Sequence, residues 1–533
     1  MTNSIGEIGE AGCILSIGSN TTSAHPVIGV EVKKALRQGG KLIVANPREI
    51  DLCRDADIWL RHRPGSDVAL LMGMMWVIVD EGLLDLSFVQ ERCENFEAFL
   101  DALKDFNPGY VEKITGIKRD ELVAAARMYA THKPATILYT MGITQHTHGT
   151  DNVMALANLA MLTGNIGKPS SGVNPLRGQN NVQGACDMGS LPTVYPGYQS
   201  VADEGIQKKF EEAWGASLSN KPGRVLGEII EGADKGDIKA VYLIGENPVL
   251  SDPDAKHVEK ALEKLEFLVV QDMFLTETAK LADVVLPAAS FAEKEGTFTN
   301  TERRVQRVRK VVEPVGESKA DWWIVSQVAQ KMGAKGFEWG GAEEVMEEAA
   351  KLTPSYGGIT YERIEGGGLQ WPCPTLEHPG TKYLHRETFT RGKGKFAALK
   401  YRPPAEEADE EYPLILTTER SLYHFHTSTM TRKVEGLRQL RPEELVEINP
   451  EDADKLGVKD GERVKVISRR GEVEAKAKVT EVSPVGVVCM TFHFAESRTN
   501  LVTNPAVDPV AKIPELKVAA VKVVPEPSKV SVS

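Results

Sequence analysis

The 533-residue chain has no C-x-x-C pair: Cys13, Cys53, Cys93, Cys186, Cys373 and Cys489 lie far apart. This leaves no readable disulfide framework, zinc knuckle or local iron-sulfur motif and suits a reducing cytoplasm. Long hydrophobic runs are also missing. The longest, residues 68–79, has 12 residues against the ~20 that span a bilayer, and no signal-peptide pattern follows Met1. A net positive charge is also missing. A net charge of -12 and a pI near 5.6 argue against nucleic acid or an anionic membrane, both of which demand a basic face. Small molecules and proteins remain as partners.

What is present is a large chain that predicts three or four domains, and within it a repeat. Cys13–Ile17 reads as a buried strand ended by Gly18-Ser19-Asn20; residues 27–38 have helical spacing, and Lys41–Ala45 is a second strand. The pattern returns with Ala240–Ile244, Gly245-Glu246-Asn247, a helix over 255–265, and a strand over 267–270 followed by Gln271-Asp272. Asn20 to Asn46 is 26 residues and Asn247 to Asp272 is 25; ten residues beyond each comes Ala56-Asp-Ile-Trp-Leu60 or Ala282-Asp-Val-Val-Leu286. Two β-α-β units with a glycine-bearing first turn predict a duplicated nucleotide-binding scaffold.

Between and beyond these units, residues 119–131 and 153–162 read as helices, and 403–411, acidic and proline-containing, as a linker. Short alternating strands follow at Arg463–Ile467 and Glu472–Val479, with Asn449-Pro450 capping a helix to Leu456. The segment Arg177-Gly-Gln-Asn-Asn-Val-Gln-Gly-Ala-Cys-Asp-Met-Gly189 fits neither helix nor strand periodicity. It concentrates one cation, four side-chain amides and three glycines, a composition suited to holding a small anion by a bidentate guanidinium. A polar surface loop is the alternative. His146 and His148 read as exposed loop histidines.

Asn174-Pro-Leu-Arg-Gly-Gln-Asn-Asn-Val-Gln-Gly-Ala-Cys-Asp-Met-Gly189 resembles the active-site signature of molybdenum- and tungsten-dependent formate dehydrogenases, within the molybdopterin oxidoreductase family. The resemblance runs from Met1 to about Val524. It implies a multidomain α/β fold: a first dinucleotide-binding domain over 1–178, a second, partial one over 179–290, a cofactor-covering connection over 291–402, a double-psi type β-barrel over 412–524 and a flexible tail over 525–533. It implies two molybdopterin guanine dinucleotides carrying molybdenum or tungsten. Carried over by motif, Gly18, Asn20, Ser23, Asn46, Asp67, Met141 and Gln145 would line the first. Gly245, Asn247, Ser251, Gln271, Asp272 and Asp321 would line the second, with Arg420, His424, His426, Phe492 and Lys517 from the barrel. Asn46 departs from the aspartate many relatives carry. Arg177 and Gln179 would hold formate on its way to carbon dioxide, with electrons leaving to iron-sulfur, NAD(P)-linked, ferredoxin-linked or hydrogenase subunits.

The family's iron-sulfur module, relay lysine and cysteine or selenocysteine metal ligand have no counterpart here, and Met1-Thr-Asn-Ser-Ile-Gly-Glu resembles a segment just downstream of that ligand. A selenocysteine whose UGA codon is read as a stop predicts such a start; a gene fragment and an accessory protein are the alternatives. The chain alone is then expected to be inactive. The runner-up functions are a nitrate reductase-like molybdopterin enzyme and a non-catalytic structural subunit.

Overall fold

Five apolar runs build the first sheet: β1 (Cys13–Ile17), β2 (Lys41–Ala45), β3 (Ile58–Leu60), β4 (Ala135–Tyr139) and β5 (Gly172–Pro175). All pair in parallel, in the order β3-β2-β1-β4-β5. Parallel strands need cover on both faces, and β1 and β4 are buried along their whole length. The strand order reverses between β1 and β4, so the loops leaving these two strands part and open a crevice at their carboxyl ends.

The computed structural model describes residues 1–526 and divides into two compact units. One comprises Met1–Leu176, Val249–Lys256 and Tyr383–Ser533; the other comprises Arg177–Pro248 and His257–Lys382. The barrel thus groups with the first sheet, and the connection expected over 291–402 divides after Lys382. The strand that closes the barrel runs to Pro525; the rest of the expected tail, 527–533, lies outside the described residues.

The apolar run 68–79 is the body of the helix Asp67–Asp80, buried on nearly every side in the core of the first unit. Among the described residues no helix is long and apolar enough to cross a membrane. The six cysteines are free thiols.

In the second unit β6 (Ala240–Ile244), β7 (Phe267–Asp272) and β8 (Val284–Pro287) form a parallel sheet in the order β8-β7-β6. The sequence repeat is a structural one. Gly18 and Gly245 both have positive φ (55° and 62°) and donate to the ends of β2 and β7, at Ala45 (3.0 Å) and Gln271 (2.9 Å). Asp57 and Asp283 accept the same backbone bond, from Leu42 at 2.9 Å and Leu268 at 2.7 Å. The two sheets differ in cover: Tyr242, Ile244, Phe267, Val284 and Val285 are 38–46% exposed. Three antiparallel strands follow, β9 (Gly296–Thr299), β10 (Arg304–Val308) and β11 (Leu369–Gln370).

A closed barrel of β12 (Leu414–Thr418), β13 (Leu445–Ile448), β14 (Arg463–Ile467), β15 (Glu472–Val479), β16 (Val487–Met490) and β17 (Ala519–Pro525) has the strand order β12-β16-β13-β15-β14-β17. Its inward residues, among them Val446, Val464, Val466 and Val488, form a core of their own. The 403–411 linker has no helix or strand but is pinned: Glu406 accepts from Arg470 (2.5 and 3.1 Å) and from Ala520 N at 2.9 Å in β17.

The barrel is fastened to the first sheet by charge. Arg48, just past β2, places Nε 2.7 Å from both Glu419 and Glu447, and its Nη2 gives Glu447 a second bond at 3.0 Å. Arg61 adds bonds to the carbonyls of Glu481 (2.8 Å) and Val482 (3.0 Å). Glu447 is 3% exposed and also meets Lys478 Nζ at 3.2 Å, so losing Arg48 strips a buried carboxylate of its two-bond partner and leaves it the single lysine. Arg48→Met is expected to destabilise this unit by about 3–5 kcal/mol, read as a lowered urea midpoint; a midpoint unchanged from wild type would show that the pair carries no net stability.

Candidate functional site

At the reversal point of the first sheet the loops after β1 and β4 meet backbone to backbone. Gly142 N and Thr140 Oγ1 both donate to Gly18 O, at 3.1 and 2.7 Å. A Cβ on Gly18 would lie 2.8 Å from the Gly142 carbonyl carbon, and one on Gly142 would lie 2.5 Å from Gly18 O, so neither position admits a side chain. Asn20 follows, its Oδ1 buried with no hydrogen-bond partner among the described residues. Ser23 lies in the short helix Thr21–Ala24, and Met141 and Gln145 bracket the turn Met141–Thr144. Asn46 ends β2, its Oδ1 accepting from Arg48 N at 3.1 Å. These residues share the carboxyl end of one sheet. A glycine turn with an unsatisfied amide oxygen beside it fits a ligand carrying both phosphate and hydrogen-bond donors.

Beneath this loop lies a cluster that the sequence did not reveal. Asp67 is 2% exposed and binds His62 Nε2 through Oδ1 at 2.9 Å. Burial pulls the His62 pKa down, but Asp67 overrides it and leaves the histidine raised; burial pushes Asp67 up, and His62 overrides that in turn and leaves it lowered. One carboxylate oxygen is thus committed to His62 inside the protein. His146 and His148, expected to be exposed, are each 2% exposed and stacked with centroids 5.3 Å apart. His146 Nε2 contacts Gly142 O at 2.8 Å and lies 3.9 Å from Asp67, while Nδ1 lies 4.0 Å from the buried Glu515. The signal available in the sequence was the His-x-His spacing beside a glycine loop.

The barrel brings Arg420, His426, Phe492 and Lys517 together. The Arg420 guanidinium sits 5.4 Å from the centroid of Phe492, and the His426 ring meets that same ring edge-on at 5.4 Å. Lys517 Nζ donates to the carbonyl and hydroxyl of Thr418 at 2.6 and 3.1 Å. Burial, then Arg420, pulls its pKa down to about 7, and burial pulls His426 down to about 4. Neither Arg420 nor Lys517 makes an ion pair among the described residues, so the two basic groups fit an anionic ligand. His424 does not join them. Its Nδ1 meets Thr431 Oγ1 (3.1 Å) and its Nε2 the Arg441 carbonyl (2.8 Å). This stretch is a turn, with His426 at φ 50°. His493, unforeseen, holds the turn: it accepts from Ser421 N at 3.0 Å and contacts His426 O.

In the second unit Gly245 turns the chain in open space. Asn247 is spent locally: Nδ2 on Glu277 (2.9 Å), and Oδ1 accepting from Thr278 N and Oγ1 (3.2 and 2.7 Å). Ser251, expected beside them, groups instead with the first unit, where it donates to Asp252 at 3.0 Å. Gln271, fully buried, accepts from Tyr242 Oη at 2.5 Å and donates to Asp321 at 2.7 Å. Lys294 pairs with the other oxygen of Asp321. This lysine was missed, although it stands in Glu293-Lys-Glu-Gly. Asp272 accepts from Phe274 N at 3.1 Å, with its pKa raised by burial.

The signature segment is not wholly irregular. Residues 177–181 form a loop, but Val182–Asp187 is a helix. Arg177, half-buried, donates from its backbone N to Thr301 Oγ1 (3.1 Å) and from Nε to Gln183 Oε1 (3.3 Å). Gln179 is half-buried in the same loop, where its carbonyl accepts from Val182 N at 3.4 Å.

Sequence profiles place these clusters in context. The profile described as "Molybdopterin oxidoreductase" matches residues 1–331, and that for the "Molydopterin dinucleotide binding domain" matches 414–520. The chain is 52% identical over 526 residues to the F420-dependent formate dehydrogenase subunit alpha of Methanocaldococcus jannaschii, covering 98% of this chain and 78% of that protein. It is 50% identical to the F420-dependent formate dehydrogenase 1 subunit alpha of Methanococcus maripaludis, with the same coverage. It is 41% identical to formate dehydrogenase H of Escherichia coli, covering 98% and 74%. Among solved structures, acetylene hydratase from Pelobacter acetylenicus has a TM-score of 0.76 at 22% identity, covering 98% of this chain and 80% of that one, a likeness of fold.

Burial, and then His146, pulls the His148 pKa down to about 4, against ~6.5 in an unfolded chain. The unfolded state therefore binds the extra proton between those values, and stability falls as pH drops from about 6.5 toward 4. His148→Phe is expected to flatten this acid-side loss by up to about 3 kcal/mol, measured as urea midpoints across the window. An unchanged slope would mean that His148 is protonated in the folded protein.

Proposed function

The chain belongs to the molybdopterin oxidoreductase family, and from that footing we propose that it oxidises formate to carbon dioxide as the catalytic subunit of a formate dehydrogenase. The observation that carries this reading is Arg177, a half-buried guanidinium gripped through Nε by Gln183 at the head of an amide-rich loop. A planar fork held in one plane suits a planar carboxylate, and each charged hydrogen bond contributes about 1.5–3 kcal/mol. Gln179 trims the position of the anion. Breaking the C–H bond of formate yields carbon dioxide, one proton and two electrons. A bound bis-molybdopterin guanine dinucleotide centre, with molybdenum or tungsten, supplies the two-electron acceptor.

For that cofactor, Gly18, Asn20 and the Met141–Thr144 turn form one cradle; Gln271, Asp321 and Lys294 are candidates for another, and Arg420, His426, Phe492 and Lys517 supply cations and aromatic faces. The electrons pass to a partner subunit. The F420-dependent relatives favour one that serves F420.

Two variants test the reading in the assembled holoenzyme. Arg177→Lys keeps the charge and loses the fork; formate KM is expected to rise about ten- to a hundredfold, turnover to fall, and metal content to stay. Unchanged kinetics would remove Arg177 from the substrate site. Lys517→Met is expected to lower bound guanine nucleotide about tenfold or more, the scale of one charge-assisted bond. Full occupancy in that variant would remove Lys517 from the cofactor site.

A further inference from the structure

Behind Gln183 lies a carboxylate whose contacts the reaction scheme leaves unused. Asp187 is 1% exposed. Its Oδ1 accepts from Gln183 Nε2 (2.8 Å) and from the Tyr198 hydroxyl (2.9 Å); its Oδ2 accepts from the Tyr356 hydroxyl (2.5 Å) and Trp371 Nε1 (2.7 Å). Four donors meet the four lone-pair positions of one carboxylate, and none of the four is a cation. Gln183 Nε2 also donates to the Tyr198 oxygen at 2.9 Å, so both amide hydrogens are used.

These contacts remove an ambiguity. A glutamine amide is nearly symmetric in shape, and by sterics alone it could turn either end toward Arg177. An ionised carboxylate only accepts, so it holds the NH2 end of Gln183 to itself and leaves Oε1 facing the Nε–H of Arg177. A flipped amide would oppose a donor with a donor and lose this bond to the guanidinium. Asp187 and Gln183 stand one helical turn apart in Val182–Asp187, which gives the helix inside the signature segment its purpose.

We propose that Asp187 is a positioning residue for Arg177: by fixing the orientation of the Gln183 amide it sets the plane in which the guanidinium meets the substrate anion. This rests on the reading that Arg177 holds formate.

A double-mutant cycle in the assembled holoenzyme tests it. Asp187→Asn lets the partner amide turn; Gln183→Met removes the amide at similar volume. Each is expected to raise formate KM about tenfold with metal and guanine nucleotide content unchanged. The double variant is expected to match the single ones in KM, because Asp187 has nothing to act through once Gln183 is gone. Thermal stability separates this from a scaffolding role: Asp187→Asn should lower Tm by the same amount in either background, since Tyr356 and Trp371 lose their acceptor regardless. The proposal is overturned if Gln183→Met leaves KM unchanged, or if Asp187→Asn raises KM further in the Gln183→Met background. Should Arg177→Lys leave formate kinetics unaltered, the reading of the substrate site fails instead; should that variant respond while both Gln183→Met and Asp187→Asn do not, only the positioning role fails.

Discussion

The first unit depends on a contact between two backbones. Gly142 N donates to Gly18 O at 3.1 Å where β1 and β4 end, and the absence of both side chains lets the two loops close on each other. The consequences run outward. His146 reaches the carbonyl of Gly142, Asp67 and Glu515 stand on either side of that histidine, and Glu515 also accepts from Thr147 and from Ala405 at the start of the pinned linker. The loop at the mouth of the crevice is thereby tied to the core helix, the linker and the barrel.

The second unit solves a different problem. Its sheet repeats the first in register and turn geometry, and a buried polar cluster gathers at the helix that follows Arg177. There a buried carboxylate, saturated by neutral donors, dictates the orientation of an amide, and the amide holds a guanidinium. Polar groups this deep are tolerated only when every donor and acceptor is matched. The same matching that keeps Asp187 buried gives Arg177 a defined direction.

Much of this was legible in the sequence. Strands such as Cys13–Ile17, Lys41–Ala45, Ala240–Ile244 and Glu472–Val479 are bounded by turn residues and made of β-branched or alternating apolar side chains, so their limits follow from composition. The duplicated spacing was readable because Asp57 and Asp283 each satisfy the same backbone N–H. What escaped depends on direction and pairing. A six-residue helix containing glycine offers too few turns for a 3.6-residue period, so Val182–Asp187 passed as loop. Whether Asp67 faces a ligand or His62, and whether His146 and His148 face water or each other, is decided by elements distant in the chain.

The central claim is that Arg177 holds the substrate anion in a plane set by the amide behind it. Its most direct test is a structure of the cofactor-loaded enzyme with azide, a small anion of formate's charge and size. The account predicts azide within hydrogen-bond distance of the Arg177 guanidinium while Nε still rests on Gln183 Oε1. Finding Arg177 on a phosphate of the cofactor, with the anion elsewhere, would contradict it.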